Sequence, residues 1–393
     1  MKILSVNAGS SSLKFSVIEL PAKKELINGY FQRIGMDGSF YYVKINGEKT
    51  THEVELNNHL DAVEALKTEL FSNNIISSLD EIDGVGHRLV HGGEEFKSSV
   101  LITEEVLTTC EKFNDLAPLH NPAMLKCVRA FMEAMPNTPM TAVFDTSFHQ
   151  SMKEEEYIYP VPYEWYKEYG VRRYGFHGTS HRYIYKSICE ILNKDNLKVI
   201  SCHIGSGASI CAIDNGKSVD TSMGFSPLAG LMMGTRSGDI DPSIIPYIME
   251  KSNKTLDEVF NDLNKFSGLV GVSGVSSDAR DIEDGINSGN ERCILANNIY
   301  CQKVANYIAM YNNILGGADV IVFTAGLGEN SKLLREMVIE KIASLGVTLD
   351  KEKNDVRGET RLISGVDSKI PVYIVPTDEE LMIALDTMEL ISK

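Results

Sequence analysis

At 393 residues the chain is too long for one compact core and suits two domains of ordinary size. Hydrophobic residues at 43% and charged residues at 23% are those of a globular protein, and no apolar run approaches the roughly 20 residues that span a bilayer. A net charge of −16 repels nucleic acid and anionic membranes, and seven scattered cysteines, never as CxxC, argue against zinc or disulfides and for reduced thiols in the cytoplasm.

Residues 2–7 and 13–20 are predicted strands flanking VNAGSSSLKF, a hairpin rather than the strand–helix unit of a Walker loop. The opening MKILSVNAGSSS has one lysine and a brief apolar run, which does not read as a signal peptide. Leu60, Val63, Leu66 and Leu70 share one face of a helix predicted over 58–71, and 103–113 forms a second. Asn121-Pro122 reads as an N-cap and first-turn proline for a helix to about 135, and 140–144 as a buried strand ending at Asp145. The stretch 151–170 has no period, so the domain boundary is placed at its start. Strands are predicted at 197–204 and 209–213, the latter running into Asp214-Asn215-Gly216, a hairpin signal. Helices at 242–250, 256–265 and 292–314, a strand at 320–324, a helix at 331–343, a strand at 371–375 and a helix at 379–390 complete an α/β pattern with covered sheets.

Val6-Asn7-Ala8-Gly9-Ser10 and Cys202-His203-Ile204-Gly205-Ser206 share one pattern about half the chain apart: strand, polar residue, apolar residue, Gly-Ser, strand. The repeat predicts a duplicated domain, each half offering a hairpin loop to a common cleft, where backbone N–H groups and hydroxyls clamp phosphate. Gly-Ser after a strand is also a common turn. A third glycine-rich turn, Ala325–Asn330, follows a strand and opens a helix.

Five clusters could carry chemistry: GHRLVHGG (His87, Arg88, His91), FDTSFHQ with Asp145 at a strand end, RRYGFHGTSH, GTRSGDID (Arg236, Asp239, Asp241), and PTDEE. Singly, each has a structural reading, since turn histidines bond backbone and acids cap helix starts. Together they suit phosphoryl transfer, which asks for positioning and charge neutralisation. Arg88 and Arg236 could grip anionic oxygens bidentately, and Glu379 and Asp145 are the oxygen ligands a divalent metal would use.

In order along the chain, NAGSSSLKF, GHRLVHGGE, LAPLHNP, FDTSFHQ, RRYGFHGTSH, DTSMGFSPLAGLMMGTRSGDIDP, SGVSSDARDIE, FTAGLGENS and VPTDEE resemble the acetate kinases. The resemblance implies two duplicated ribonuclease H-like domains of the actin-like ATPase superfamily around a central cleft. These are 1–150, completed by the final helix at about 380–393, and a nucleotide-binding domain over 151–379. It implies reversible, direct in-line transfer of the γ-phosphoryl of ATP to acetate, giving acetyl phosphate and ADP, with Mg²⁺ or Mn²⁺, in a cytoplasmic homodimer. By motif, Arg88, His177 and Arg236 surround the transferring group, Asp145 lies near the attacking carboxylate and the metal, and Asn7 and Glu379 position Mg²⁺. Ser10, Ser12 and Lys14 hold phosphate from the acetate side, and His120 and His203 lie near the phosphates. Val90, Leu119, Phe176 and Pro227 form the pocket for the methyl group. Ile204, Gly205, Ser206, Gly207, Asp278, Ala279, Arg280, Gly326, Leu327, Gly328 and Asn330 contact the nucleotide.

Three positions depart from the family pattern: Ser206 stands for the asparagine of HxGNG, Ala229 for a glutamate, and Ala279 for an aromatic beside the base. They are expected to tune affinity. The alternatives are a kinase for propionate or butyrate, one using pyrophosphate, and, in another class, a chaperone-like or filament-forming ATPase. That last reading needs a long peptide-binding or polymer-contact segment and leaves the methyl pocket without a purpose.

Overall fold

The computed structural model describes residues 1–117 and 120–393, in two compact units: Met1–Phe148 with Asp378–Lys393, and His149–Thr377. The first unit has strands β1 (Lys2–Ala8), β2 (Ser12–Glu19), β3 (Lys24–Gln32), β4 (Phe40–Ile45), β5 (Glu48–Glu53), β6 (Gly84–Leu89), β7 (Val100–Leu101) and β8 (Met140–Phe144). They form one sheet in the order β5-β4-β3-β2-β1-β6-β8-β7. β1, β6 and β8 run parallel at its centre, and the other pairings are antiparallel.

Helices cover both faces of this centre. Val85 and His87 point toward the helix Asn121–Ala134, where the His87 ring meets Phe131 edge-on at 5.2 Å. Gly84 and Gly86, alternating to the other face, lie under the helix Glu379–Ile391. A Cβ at Gly86 would come within 2.4 Å of Thr387 Oγ1 and 2.5 Å of Ile383 Cγ2, so the close approach of that helix demands glycine. GHRLVHGG is therefore strand for its first half, not the turn-rich segment its glycines and histidines suggest.

The second unit has β9 (Lys198–Ile204), β10 (Ala208–Asp214), β11 (Lys217–Thr221), β12 (Val320–Thr324), β13 (Arg361–Leu362) and β14 (Val372–Ile374), ordered β11-β10-β9-β12-β14-β13. Asn215 and Gly216 both take positive φ in the turn joining β10 to β11, as Asn-Gly predicts. The run β11-β10-β9-β12-β14 repeats β3-β2-β1-β6-β8 in order and in direction. The repeat extends to single bonds. Lys2 N donates to Asp83 Oδ2 and Lys198 N to Asp319 Oδ2, each at 2.7 Å. The Lys2 and Lys198 ammonium groups each donate to a carbonyl shortly before the next parallel strand, Ile75 O and Leu315 O.

The helix predicted from Asn121-Pro122 starts one residue earlier than its signal. His120 is the N-cap but its side chain makes no capping bond, while Asn121 is drawn inward to exchange hydrogen bonds with the His91 backbone. The helix Gly178–Leu192 lacks a sequence signal at its start, because His177 caps it from a left-handed backbone and its side chain makes no capping bond to the helix. No helix among the described residues is long and apolar enough to cross a membrane.

Candidate active site

In the first unit, the C-terminal ends of the three parallel strands gather the predicted residues, as open α/β sheets do. Asn7 ends β1, Arg88 lies near the end of β6, and Asp145 follows β8 with its N–H bonded to Leu89 O. Arg88 grips Asp145 bidentately, Nε to Oδ1 at 2.9 Å and Nη2 to Oδ2 at 2.6 Å, while Nη1 reaches Asn7 Oδ1 at 3.1 Å. A guanidinium has five N–H groups, so one hydrogen on each of Nη1 and Nη2 stays available to an anion. Alternation along β6 turns Arg88 to the face covered by the helix that opens with Glu379.

Glu379 is pushed up to about 7, chiefly by burial; Arg88 pulls it down, and Asp145 and Glu380 push it further up. Unfolding returns it to its ordinary 4.5, so the folded protein holds an extra proton between those two values. Its contribution to stability therefore falls as pH rises from about 4.5 to about 7, then levels off. Glu379→Gln is expected to match the parent protein at pH 4 and to exceed it in stability at pH 8, measured by urea unfolding at each pH. A parent equally stable relative to the variant at both pH values would contradict this.

The β1–β2 loop departs from a simple phosphate grip. Lys14 Nζ pairs with Glu380 Oε1 at 2.5 Å. Burial opposes its charge, yet Glu380 and Glu379 raise its pKa on balance. Ser12 is half-buried and Ser10 exposed. Val90 is buried just after β6, and Leu119 lies outside the described residues. His87 and His91 are structural: burial depresses them to about 3 and about 4.

In the second unit, the hairpin between β9 and β10 carries Gly205–Gly207, closed by Gly205 N on Gly207 O at 3.1 Å. A Cβ at Gly207 would lie 3.5 Å from Arg236 Nη1 and 3.6 Å from His177 Cε1, so guanidinium and imidazole converge on this loop. His177 stacks on His203, with ring centres 4.1 Å apart. Arg236 is partly buried, donates to Pro227 O at 3.1 Å, and has no carboxylate partner among the described residues; burial lowers its pKa. Its loop is tied down by Asp239, which accepts from Gly230 N at 2.7 Å and from the Tyr307 hydroxyl at 2.6 Å. Asp239 is thus a loop brace, and exposed Asp241 accepts from Ser243 N. Phe176 is buried and its carbonyl bonds His149 Nε2.

A pocket of about 490 Å³ in this unit is lined by Ser206, Asp278, Ala279, Arg280, Gly326, Leu327 and Asn330 among others. Asp278 caps the helix Ala279–Asn287 and pairs with Arg280 at 2.5 Å. Ile204 is wholly buried on β9, and Gly328 turns its carbonyl to Arg335, so neither lines it. Glu283, the last residue of SGVSSDARDIE, lines it too, as does Arg357, which lies outside every quoted motif and which no sequence signal marked.

Among the described residues no group of three or more His, Cys, Asp or Glu side chains is gathered for a metal. Asn7, Asp145 and Glu379 offer hard oxygen donors instead. Such a set fits a magnesium-like ion that keeps water and substrate oxygens as most of its ligands.

Two sheets of one topology, with charged residues at their strand ends, define the actin-like ATPase fold. The Acetokinase family model matches residues 2–385, and the chain belongs to that family. It is 52% identical to the acetate kinase of Bacillus velezensis, over 99% of both chains. The crystal structure of Porphyromonas gingivalis acetate kinase superposes with a TM-score of 0.95 at 47% identity, covering 99% of each chain. That of a propionate kinase from Francisella tularensis gives 0.94 at 39%, with the same coverage.

Proposed function

We propose that the protein is an acetate kinase, moving the γ-phosphoryl group of ATP reversibly to acetate. The observation that carries the mechanism is the convergence of Arg236 and His177 on the Gly205–Gly207 loop, with no carboxylate partner for Arg236 among the described residues. Full-length identity of about half to proteins named acetate kinase supports the substrate.

An acetate oxygen attacks the γ-phosphorus in line, the bond to the β–γ bridging oxygen breaks, and that oxygen leaves as part of ADP. Acetate is already ionised at neutral pH, so no general base is needed. Arg236, His177 and the outer edge of Arg88 neutralise charge on the transferring group, which is the main demand of this chemistry. Asp145 fixes the plane of the Arg88 guanidinium. Mg²⁺, held by Asn7 and Glu379, would add charge neutralisation on the phosphate oxygens. The second-unit pocket takes the nucleotide, and its lining without aromatic rings suits a loosely gripped base. The family resemblance assigns the methyl group to Val90, Leu119, Phe176 and Pro227, of which Leu119 lies outside the described residues. Seven unbridged thiols suit a cytoplasmic enzyme, and a homodimer is the assembly we expect.

Acetyl phosphate formation, trapped with hydroxylamine as the hydroxamate, is expected from ATP and acetate. Propionate should react more slowly, since one methylene is worth only about 1–3 kcal/mol in such a pocket. The second reading, a propionate-preferring kinase, is favoured by the Francisella likeness. Strong signal with propionate, butyrate or pyrophosphate and none with acetate and ATP would overturn the assignment.

A further inference from the structure

Behind His177 lies a row of hydroxyls and imidazoles that phosphoryl transfer does not itself call for. His177 Nδ1 meets Ser209 Oγ at 2.9 Å, Ser209 Oγ meets His181 Nε2 at 2.8 Å, and His181 Nδ1 meets Ser201 Oγ at 2.9 Å. Ser209, His181 and Ser201 are wholly buried. The row follows from local structure. His181 is four residues after His177, with its N–H on the His177 carbonyl, so both rings share a helix face. The β9–β10 register sets Ser209 opposite His203, which turns Ser201, His203 and Ser209 to one face of the sheet.

Proton counting orders this row. A serine hydroxyl has one hydrogen to give, and a neutral imidazole has one N–H. His181 stays neutral: burial holds it well below its ordinary range, and His149 and His203, 5.9 and 6.2 Å away, add to that. If its hydrogen is on Nε2, it donates to Ser209, and the Ser209 hydrogen goes to His177 Nδ1. His177 then carries its own hydrogen on Nε2. If the His181 hydrogen is on Nδ1, every donor reverses and His177 Nε2 presents a lone pair. Phosphoryl oxygens only accept, so the first order alone is productive.

Resting on the phosphotransferase reading above, we propose that Ser201, His181 and Ser209 are a positioning relay holding neutral His177 in its Nε2–H tautomer, ready to donate to the transferring phosphoryl group. Donation runs one way, Ser201 to His181 to Ser209 to His177, and each bond polarises the next. Ser209 is the coupling element, because its single hydrogen makes the two histidine tautomers interdependent.

The test is ring ¹⁵N NMR of histidine-labelled full-length protein at pH 7.5, with His177→Gln used to assign the signals. The parent protein should show His177 as Nε2–H. Ser209→Ala should convert it to a mixture of tautomers and lower kcat about ten- to hundredfold, the usual scale for outer partners that orient a ligand. KM for both substrates should stay within about twofold, since binding contacts are retained. Ser201→Ala, at the far end, should give a smaller shift in the same direction, with far-UV circular dichroism unchanged in both variants. His177 as Nδ1–H in the parent, or an unmoved tautomer in Ser209→Ala, would overturn the relay. The tautomer is read without turnover, so a missing hydroxamate signal speaks against the substrate and not against this row.

Discussion

Arg88→Ala should abolish turnover and also destabilise the fold. The guanidinium holds a nearly buried Asp145 through two hydrogen bonds and reaches Asn7 with a third. Burial works against its charge, but Asp145, Glu379 and Glu380 outweigh that and hold the charge firmly on. Removing it strands Asp145 and withdraws the main cation opposing Glu379. Breaking such a pair by deleting one partner costs about 3–5 kcal/mol. Turnover should fall at least ~10³-fold, because a transition-state donor and the order of Asp145 go together. Hydroxamate turnover and urea unfolding measure the two effects. Adding Asp145→Asn to Arg88→Ala should recover much of the stability and none of the activity, as expected for coupled neighbours. A single variant as stable as the parent would mean that the pair is not the anchor we describe.

Arg236→Ala should be as damaging to catalysis and nearly silent in stability. This guanidinium is partly buried with a carbonyl and the Met233 sulfur as its partners. Its replacement forfeits one charge-assisted hydrogen bond, worth about 1.5–3 kcal/mol, and relieves a desolvated cation, and these terms oppose each other. We expect stability within about 1 kcal/mol of the parent and kcat lowered ~10²–10³-fold, the cost of losing one preorganised donor. Phosphate or ATP should stabilise the parent against heat more than the variant, because a ligand that binds only the folded state raises Tm. Turnover close to that of the parent would remove Arg236 from the chemistry. The two arginines thus separate by experiment: one anchors and neutralises, the other only neutralises.

The elements legible in the sequence were those with a local signature. Met140–Phe144 and Val320–Thr324 are short, wholly buried runs, and Leu256–Lys265 begins with a capping box at Thr255 and Glu258. Glu48–Glu53 carried no signal, because its side chains are nearly all exposed and only pairing with β4 makes it a strand. β6 was hidden by glycines whose purpose lies in a helix near the opposite end of the sequence. The site behaves similarly. Motifs name Arg88, Asp145 and Arg236, but only the sheet register brings Arg88 onto Asp145, 57 residues away, while Arg236 has no acid partner among the described residues. That Lys14 faces Glu380 rather than open solvent could not be read from a serine loop and a capped helix start considered apart.

The helix Glu379–Ile391 belongs to the first unit, although the whole second unit intervenes in the chain. Domains generally fold as units, and in N-terminal-first order during synthesis. Here the order is inverted: His149–Thr377 is complete while the first sheet still has one bare face over Gly84 and Gly86. The segment that covers this face also carries Glu379 to Arg88, so hydrophobic cover and buried acid reach the first unit on one helix, the last part of that unit to be synthesised.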